Sequence, residues 1–135
     1  MGEPPPAVVR YAGWWRRAAA FVVDWVALFS VMAVVPEESD GALVFAVFVL
    51  PIAYFAGLHA YGHGRTIGKW AFGIAVRCAD DEAVDLGRAL GRAVVQCLLW
   101  ITVIGGIVDS LLPLGDARRR TIHDRAAGTV VVLVR

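Results

Sequence analysis

A carboxylate inside a long apolar run constrains this chain more than any other feature. Asp24 lies near the middle of the segment 18–35, whose other residues are almost all apolar. If this segment crosses a bilayer, an ionisable group at that depth costs at least ~2.5–3.5 kcal/mol and needs a partner or a function. Arg17 precedes it by about two helical turns and therefore shares its helical face. We predict that both charges belong to a polar network between helices.

Apolar residues make up 59% of the chain, and they fall into three blocks rather than spreading evenly. The blocks cover residues 14–35, 41–61 and 93–114. A helix needs about 20 apolar residues to cross a hydrocarbon core of ~30 Å. The pattern predicts an all-α integral membrane protein with two clear transmembrane helices and a third apolar segment that is broken or re-entrant. Residues 1–13 are predicted to be a flexible cytosolic tail, and residues 14–135 a single membrane domain.

The positions of Lys and Arg predict the orientation, because basic loops favour the cytoplasmic side. Basic residues occupy the N-terminal end, the segment 62–92 and the C-terminal segment, whereas the acidic turn 36–41 has none. The N-terminus is therefore predicted to be cytoplasmic, but three full spans would put the basic C-terminus outside. We favour a hairpin in which the third block breaks at Gly105-Gly106 and returns, because irregular backbone is tolerated where protein or water covers it. The alternative is a full span with an external C-terminus.

Short elements are predicted between and after the apolar blocks. Residues 66–73 are amphipathic and are expected to lie along the membrane interface. Residues 74–78 alternate in character, and residues 129–134 are rich in β-branched side chains, so both segments are predicted to be strands. We predict that they pair with each other as a short cytosolic β structure beneath the helices.

Two local signals concern the helices themselves. Pro51 lies inside the second block and is expected to kink it, because its ring removes a backbone hydrogen bond and clashes with the preceding turn. Asp85 or Gly87 is predicted to begin the helix that enters the third block.

Sequence signatures of catalysis and of metal binding are weak. The stretch 62–69 does not fit a phosphate-binding loop, because Trp70 follows Lys69 where the pattern needs Ser or Thr. His59 and His63 have the spacing to share a helical face, but a two-histidine metal site needs further ligands, so they are interpreted as interfacial residues. The sequence predicts no enzyme activity, no metal, no cofactor and no nucleic-acid partner.

The charges within the apolar blocks, Arg17, Asp24 and Asp109, allow two interpretations. In the first they form structural ion pairs between helices. Asp24 would then meet Arg88 or Arg92, whereas Asp109 would meet Arg17. In the second, the two carboxylates line a polar cavity and bind a proton or a small cation. Physical chemistry alone leaves both interpretations open.

The cluster Arg118-Arg119-Arg120 directly follows the third block. It is expected to bind anionic lipid headgroups, to which each basic residue near the surface contributes ~1 kcal/mol, or to act only as a topology determinant. The bilayer and its anionic lipids are thus the predicted partners. His123 is interpreted as a hydrogen-bonded structural residue.

Four patterns, in order along nearly the whole chain, resemble those of the RDD family of bacterial membrane proteins. They are Trp15-Arg16-Arg17-Ala18-Ala19-x4-Asp24, Gly64-Arg65-Thr66-x-Gly68-Lys69-x3-Gly73-x2-Val76, Leu86-Gly87-Arg88-Ala89-Leu90-x-Arg92, and Arg119-Arg120-x2-His123-Asp124-Arg125-x-Ala127-Gly128-Thr129-Val130-Val131. The resemblance implies a multi-pass protein of the bacterial inner membrane. The cytosolic motif residues that it implies are Gly64, Thr66, Gly68, Lys69, Arg88, Arg92, Arg120, His123, Asp124 and Gly128.

The family is named for one Arg and two Asp. By resemblance, Arg17 and Asp24 match the Arg and the first Asp, and the second Asp falls on Asp124, with Asp109 as the alternative. A transport role has been proposed for the family, and some members are linked to sodium/proton exchange. The resemblance therefore implies a transport-related protein for small cations, protons or solutes, acting as a homo-oligomer or with a membrane-protein partner. The alternative is a non-transporting accessory or scaffold subunit.

Overall fold

The computed structural model describes residues 8–36 and 40–134; most of the predicted tail and the centre of the acidic turn 36–41 lie outside the described residues. The elements, in chain order, are α1 (Trp14–Met32), α2 (Asp40–Val44), a π-helical turn (Phe45–Val49), α3 (Leu50–Tyr61), α4 (Ile67–Ala71), β1 (Ile74–Cys78), α5 (Leu86–Ile101), α6 (Ile104–Leu111), a 3₁₀ turn (Leu112–Leu114), α7 (Ile122–Ala127) and β2 (Thr129–Leu133).

One continuous helix, Asp40–Tyr61, combines α2, the π-helical turn and α3. It is 22 residues long, and among the helices of the described segments it alone is long and apolar enough to cross a membrane. Only 22% of its most apolar stretch is buried within the molecule, so it is not the core helix of a soluble protein. The prediction of two clear transmembrane helices is not met, because α1 carries Arg16, Arg17 and Asp24 along its 19 residues.

The helix accommodates Pro51 by widening the turn before it. The backbone N–H of Leu50 donates to the carbonyl of Phe45, which is a π-helical rather than an α-helical bond. A wider turn relieves the clash that a proline ring makes with the preceding carbonyl. The predicted disturbance is therefore present as a π-helical turn, and the helix continues to Tyr61.

The third apolar block is broken, as predicted, but at a different place. α5 ends at Ile101 and α6 begins at Ile104, with Val103 between them at a φ of 52°. The predicted break at Gly105-Gly106 is wrong, because both glycines lie inside α6. A Cβ on Gly106 would lie 2.5 Å from the ring of Trp100, so this glycine lets α6 pack closely against α5.

The predicted strand pairing is confirmed. β1 and β2 are antiparallel, with Val76 opposite Val131, and Tyr11 forms an isolated bridge to Val132. The segment just before α1, the segment after α3 and the C-terminal strand therefore meet at one end of the molecule, which we call the sheet end. The third block cannot carry the chain to the opposite end, so of the two alternatives the structure has the hairpin.

Three of the helices begin at a residue whose side chain caps them. Asp85 accepts a hydrogen bond from the backbone N–H of Arg88, at 2.9 Å, and caps α5, so of the two predicted start residues Asp85 is the correct one. Thr66 caps α4 in the same way. Thr121 and Asp124 form a reciprocal capping box at the start of α7. These caps fix the ends of helices that carry the buried charges.

Candidate functional site

Asp24 is fully buried and its carboxylate is surrounded by donors. Oδ1 accepts hydrogen bonds from the Tyr54 hydroxyl and from the backbone N–H of Gly68, each at 2.8 Å. Oδ2 accepts from the Thr66 hydroxyl at 2.6 Å, and the Lys69 ammonium lies 4.0 Å from the same oxygen. We call these five residues the Asp24 centre. It fastens the first turn of α4 to the middle of α1.

Two glycines of the predicted family motif make this contact possible. A Cβ on Gly68 would lie 2.0 Å from the carbonyl oxygen of Ala20 in α1, so α4 could not approach α1 with a larger residue there. Gly64 has a φ of +74°, and a Cβ on it would lie 2.1 Å from the carbonyl oxygen of Val76 in β1. Only glycine fits both the left-handed backbone and this approach. The motif glycines therefore position the donors that Asp24 accepts from.

Asp124 is the second fully buried carboxylate, and arginines hold it. Oδ2 accepts from Arg17 Nη2 at 2.5 Å and from the backbone N–H of Thr121 at 2.9 Å. Oδ1 bonds Arg92 Nη1, which also donates to the Thr129 hydroxyl at 2.9 Å. We call these residues the Asp124 centre. It joins α1, α5, α7 and β2.

The arginine charges determine the protonation state of Asp124. Burial by itself would raise the pKa of this carboxyl, but the charges of Arg92 and Arg17 hold the pKa well below its usual range. The centre therefore contains two guanidinium groups and one carboxylate, a local excess of positive charge.

The structure overturns the predicted ion pairs. Asp24 meets neither Arg88 nor Arg92: Arg92 belongs to the Asp124 centre, whereas Arg88 is largely exposed and lies 3.5 Å from Asp85. Asp109 does not meet Arg17, whose carboxylate partner is Asp124. The sequence reasoning identified the charged residues but not which of them pair.

Asp109 pairs instead with His123. Asp109 Oδ2 lies 2.6 Å from His123 Nδ1, and Oδ1 accepts from the backbone N–H of Ile122 at 2.7 Å. Burial and the nearby charge of Arg92 lower the pKa of His123, and the hydrogen bond to Asp109 only partly opposes them. The interpretation of His123 as a hydrogen-bonded residue agrees with this geometry.

A cavity of about 200 Å³ lies between the two centres and this pair. The charged or titratable side chains that line it are Arg17, Lys69, Arg92, Asp109 and His123, and its apolar wall includes Trp14 and Trp100. Burial lowers the pKa of Lys69 to about 8, although the nearby charge of Asp24 opposes the shift. The cavity thus brings together two groups whose protonated forms are destabilised by burial.

The two histidines of the predicted helical pair are separated in the structure. α3 ends at Tyr61, and His63 follows with a φ of 55°, so His59 and His63 do not share a helical face. His59 is buried, and neither of its ring nitrogens has a hydrogen-bond partner within the described residues. In residues 8–36 and 40–134, no group of three His, Cys, Asp or Glu side chains is placed to hold a metal.

The predicted lipid cluster is divided between different contacts. Arg120 Nε donates to Asp116 at 3.1 Å, and the hydrogen bonds from Arg120 lower the pKa of Asp116 to about 2. The carbonyl of Arg119 accepts from Arg17 Nη1 at 2.5 Å, and Arg118 is exposed. Arg120 therefore has a carboxylate partner inside the protein, and lipid binding by the cluster stays a prediction.

Sequence reasoning missed three residues that complete the centres: Tyr54, Thr121 and Thr129. Tyr54 carries the hydroxyl group that reaches Asp24 from an otherwise apolar helix, and such a polar group is a signal for a buried partner. Thr121 stands three residues before Asp124, which is the spacing of a capping box. Thr129 belongs to the fourth family pattern, but as a residue of a β-branched strand it gave no sign of its contact with Arg92.

An exposed apolar helix of spanning length, joined to a sheet end that contains two buried carboxylate centres, defines a small helical membrane protein. Comparison with known families agrees with this class. The chain belongs to the RDD family, whose model matches residues 11–128.

Two relatives are similar over most of their length. The uncharacterized membrane protein YteJ of Bacillus subtilis (strain 168) is 28% identical over 137 residues, which cover 90% of this chain and 80% of the relative. An uncharacterized protein of Haemophilus influenzae (strain ATCC 51907 / DSM 11121 / KW20 / Rd) is 25% identical over 131 residues, which cover 94% of this chain and 81% of that protein. None of the solved structures matches the chain.

Proposed function

We propose that the protein is a transport-related subunit of a bacterial inner membrane, which moves protons or other small ions or solutes, or helps a partner to move them. One observation carries this proposal: Lys69, His123 and Asp109, all with titratable side chains, line the same cavity between the two centres. Ionisable groups within a membrane protein that face a common cavity are typical of ion and proton pathways.

The lining of the cavity favours a proton over a metal cation. Asp24 already accepts three hydrogen bonds, so a cation would have to displace its donors. Arg17, Arg92 and protonated Lys69 also line or border the cavity and repel a cation. Lys69, with a pKa of about 8, can release and take up a proton near neutral pH. This exchange does not require a metal cation to enter a cavity that repels it.

The same proposal includes an orientation, an assembly and a non-enzymatic role. The sheet end contains the basic segments, so the positive-inside rule assigns it, with the N-terminus, to the cytoplasm. The described part of the chain has one helix that is clearly able to span, which is too little to enclose a pathway. The working unit is therefore a homo-oligomer or a complex with another membrane protein.

Proton flux into liposomes that contain the purified chain and an internal pH-sensitive dye tests the proposal. We expect flux above that of empty liposomes under a pH gradient, with sodium and potassium gradients compared.

Lys69→Arg keeps the positive charge beside Asp24 but does not release its proton, so its flux should fall at least about tenfold. Exposed Arg88→Gln is the matched control and should keep wild-type flux. Wild-type liposomes that match empty ones under every gradient would overturn the proposal.

The second candidate is a scaffold or accessory subunit, and the saturation of both carboxylate centres supports it. Each oxygen of Asp24 and Asp124 already has at least one partner inside the chain, as expected for groups that lock helices together. Asp24→Asn separates the two roles. Normal amounts of folded protein in the membrane with lost flux favour transport, whereas lost protein together with no wild-type flux favours the scaffold.

A further inference from the structure

Besides the cavity between the two centres, the structure has a groove at the sheet end, beside the C-terminal end of the apolar helix Asp40–Tyr61. It has a volume of about 570 Å³, and His63, Arg65 and Arg77 line it. The described residues that line it include neither Asp nor Glu. This charge pattern differs from that of the cavity between the two carboxylate centres, whose lining includes the carboxylate of Asp109.

The arginines of the groove lack ionic partners within the described segments. None of the ion pairs found there includes Arg65 or Arg77. Arg65 Nε is buried and has no hydrogen-bond acceptor in the described structure. Leaving a buried charged donor unsatisfied is costly, so the site is arranged for an acceptor from outside the chain. Arg77 is held opposite Val130 in the sheet, so its backbone position is fixed.

The position of the groove indicates which acceptor it meets. Ile67 and Trp70 line it with exposed fractions of 53% and 71%, and Tyr61, which is 76% exposed, directly precedes Gly62 of its lining. Exposed Tyr and Trp at the end of an apolar helix are typical of the layer of lipid headgroups. The guanidinium groups therefore lie at the depth of lipid phosphates, next to apolar side chains that can contact the start of an acyl chain.

We propose that this groove is a binding site for the phosphate group of an anionic phospholipid, with Arg65 and Arg77 as its ligands. A guanidinium presents a planar pair of donors to phosphate oxygens, and two such groups favour a headgroup with net negative charge. The exposed Ile67 and Trp70 select a lipid over a free anion, because they give the apolar part a surface to cover. The site is distinct from the Arg118-Arg119-Arg120 cluster and does not depend on ion transport.

Lipid retention by the full chain in a mild detergent tests the site. The probes are short-chain phosphatidylglycerol, phosphatidylcholine and inorganic phosphate, with binding followed by native mass spectrometry and by tryptophan fluorescence. We expect phosphatidylglycerol to bind, with little binding of phosphatidylcholine and no competition from inorganic phosphate at the same concentration. Arg65→Gln and Arg77→Gln should each weaken binding about fivefold, and the double variant about 25-fold.

Arg10→Gln is the matched control, because it removes an exposed arginine of the sheet end that does not line the groove; we expect less than a twofold change. Size-exclusion profiles show whether each variant is folded. If Arg77→Gln misfolds, Arg77→Lys is used in its place; because it keeps the charge, it should retain most of the binding. A folded double variant that binds phosphatidylglycerol as the wild type does would overturn the proposal. Competition by inorganic phosphate would also overturn it, since the groove would then be a site for soluble anions.

Discussion

Asp24 and Asp124 are both withdrawn completely from solvent, yet they are held in different ways. Asp24 accepts from two hydroxyl groups and one backbone N–H, with a lysine 4.0 Å away. Asp124 lies between the guanidinium groups of Arg17 and Arg92. The Asp24 centre therefore depends on the close approach of the α4 backbone to α1. The Asp124 centre depends instead on ion pairs between Asp124 and arginines of α1 and α5. The difference teaches that buried carboxylates in one small protein can be stabilised by different physical terms.

The largest expected effect is that of Asp124→Asn. The substitution leaves buried Arg92 and partly buried Arg17 without their counter-charge, and breaking a buried pair in this way costs about 3–5 kcal/mol. Unfolding by denaturing detergent, followed by tryptophan fluorescence, measures the loss. Adding Arg17→Gln to Asp124→Asn should restore part of the stability, because one uncompensated charge is removed. Equal losses for Asp124→Asn and Asp24→Asn would break the comparison.

Gly68→Ala should have the next largest effect. The new Cβ would lie 2.0 Å from the Ala20 carbonyl oxygen, so α4 must move away from α1 and the donors of Asp24 move with it. Overpacking of this kind costs about 1–3 kcal/mol and occasionally more. Gly57→Ala is the matched control, because nothing lies within 4 Å of a Cβ there. If both variants unfold at the same detergent concentration, the close approach does not support the Asp24 centre.

Asp24→Asn should cost less than Asp124→Asn, about 1–3 kcal/mol. The amide has one acceptor oxygen, and its NH₂ group takes the place of an oxygen that accepted hydrogen bonds. The hydroxyls of Tyr54 and Thr66 can rotate and accept from this NH₂ group, which limits the loss. Lys69 is the only cation in this centre, and its lowered pKa lets it become neutral. The same detergent unfolding assay measures the loss. A larger loss than for Asp124→Asn would show that charge also dominates here.

The smallest expected effect is a pH dependence that separates the Asp109–His123 pair from the Asp24 centre. The lowered pKa of His123, below 6.5, means that the unfolded chain binds a proton that the folded chain does not, so stability falls as pH drops below 6.5. Protonation of Asp124 in the unfolded chain adds to this loss below pH 3.8.

At alkaline pH the Asp24 centre contributes a dependence of the same sign, through Lys69. The pKa of Lys69 is about 8 in the folded state and 10.5 in the unfolded chain, so its contribution to stability grows as pH rises between these values. Melting temperatures measured from pH 5 to pH 10 should therefore change by a few degrees at each end. In Lys69→Met the alkaline change should vanish and the acidic one remain; loss of both would contradict the separation.

Much of the fold followed from local patterns. The strands at 74–78 and 129–133 were predictable because β-branched runs and turns mark them without reference to the rest of the chain. The break in the third block was predictable from charge distribution, but its position was not. The helix ends at Ile101, and Gly106 serves close packing against Trp100 rather than a turn.

The site was less predictable, because pairing depends on which helix faces meet. Periodicity placed Arg17 and Asp24 on one face of α1, but it contains no information about the segment that packs there. Arg17 Nη2 reaches Asp124 from the far end of the chain, and the backbone N–H of Gly68 reaches Asp24.

The sequence by itself determined the apolar blocks, the RDD family and the need of Asp24 for a partner, since these depend on composition, spacing and the cost of burying a charge. Only the tertiary structure decided that this partner is a set of hydroxyl and backbone donors, and that the arginines hold Asp124 instead. The physical reason is steric: Gly64 and Gly68 allow approaches that any side chain would block, and these approaches decide which donors reach which carboxylate.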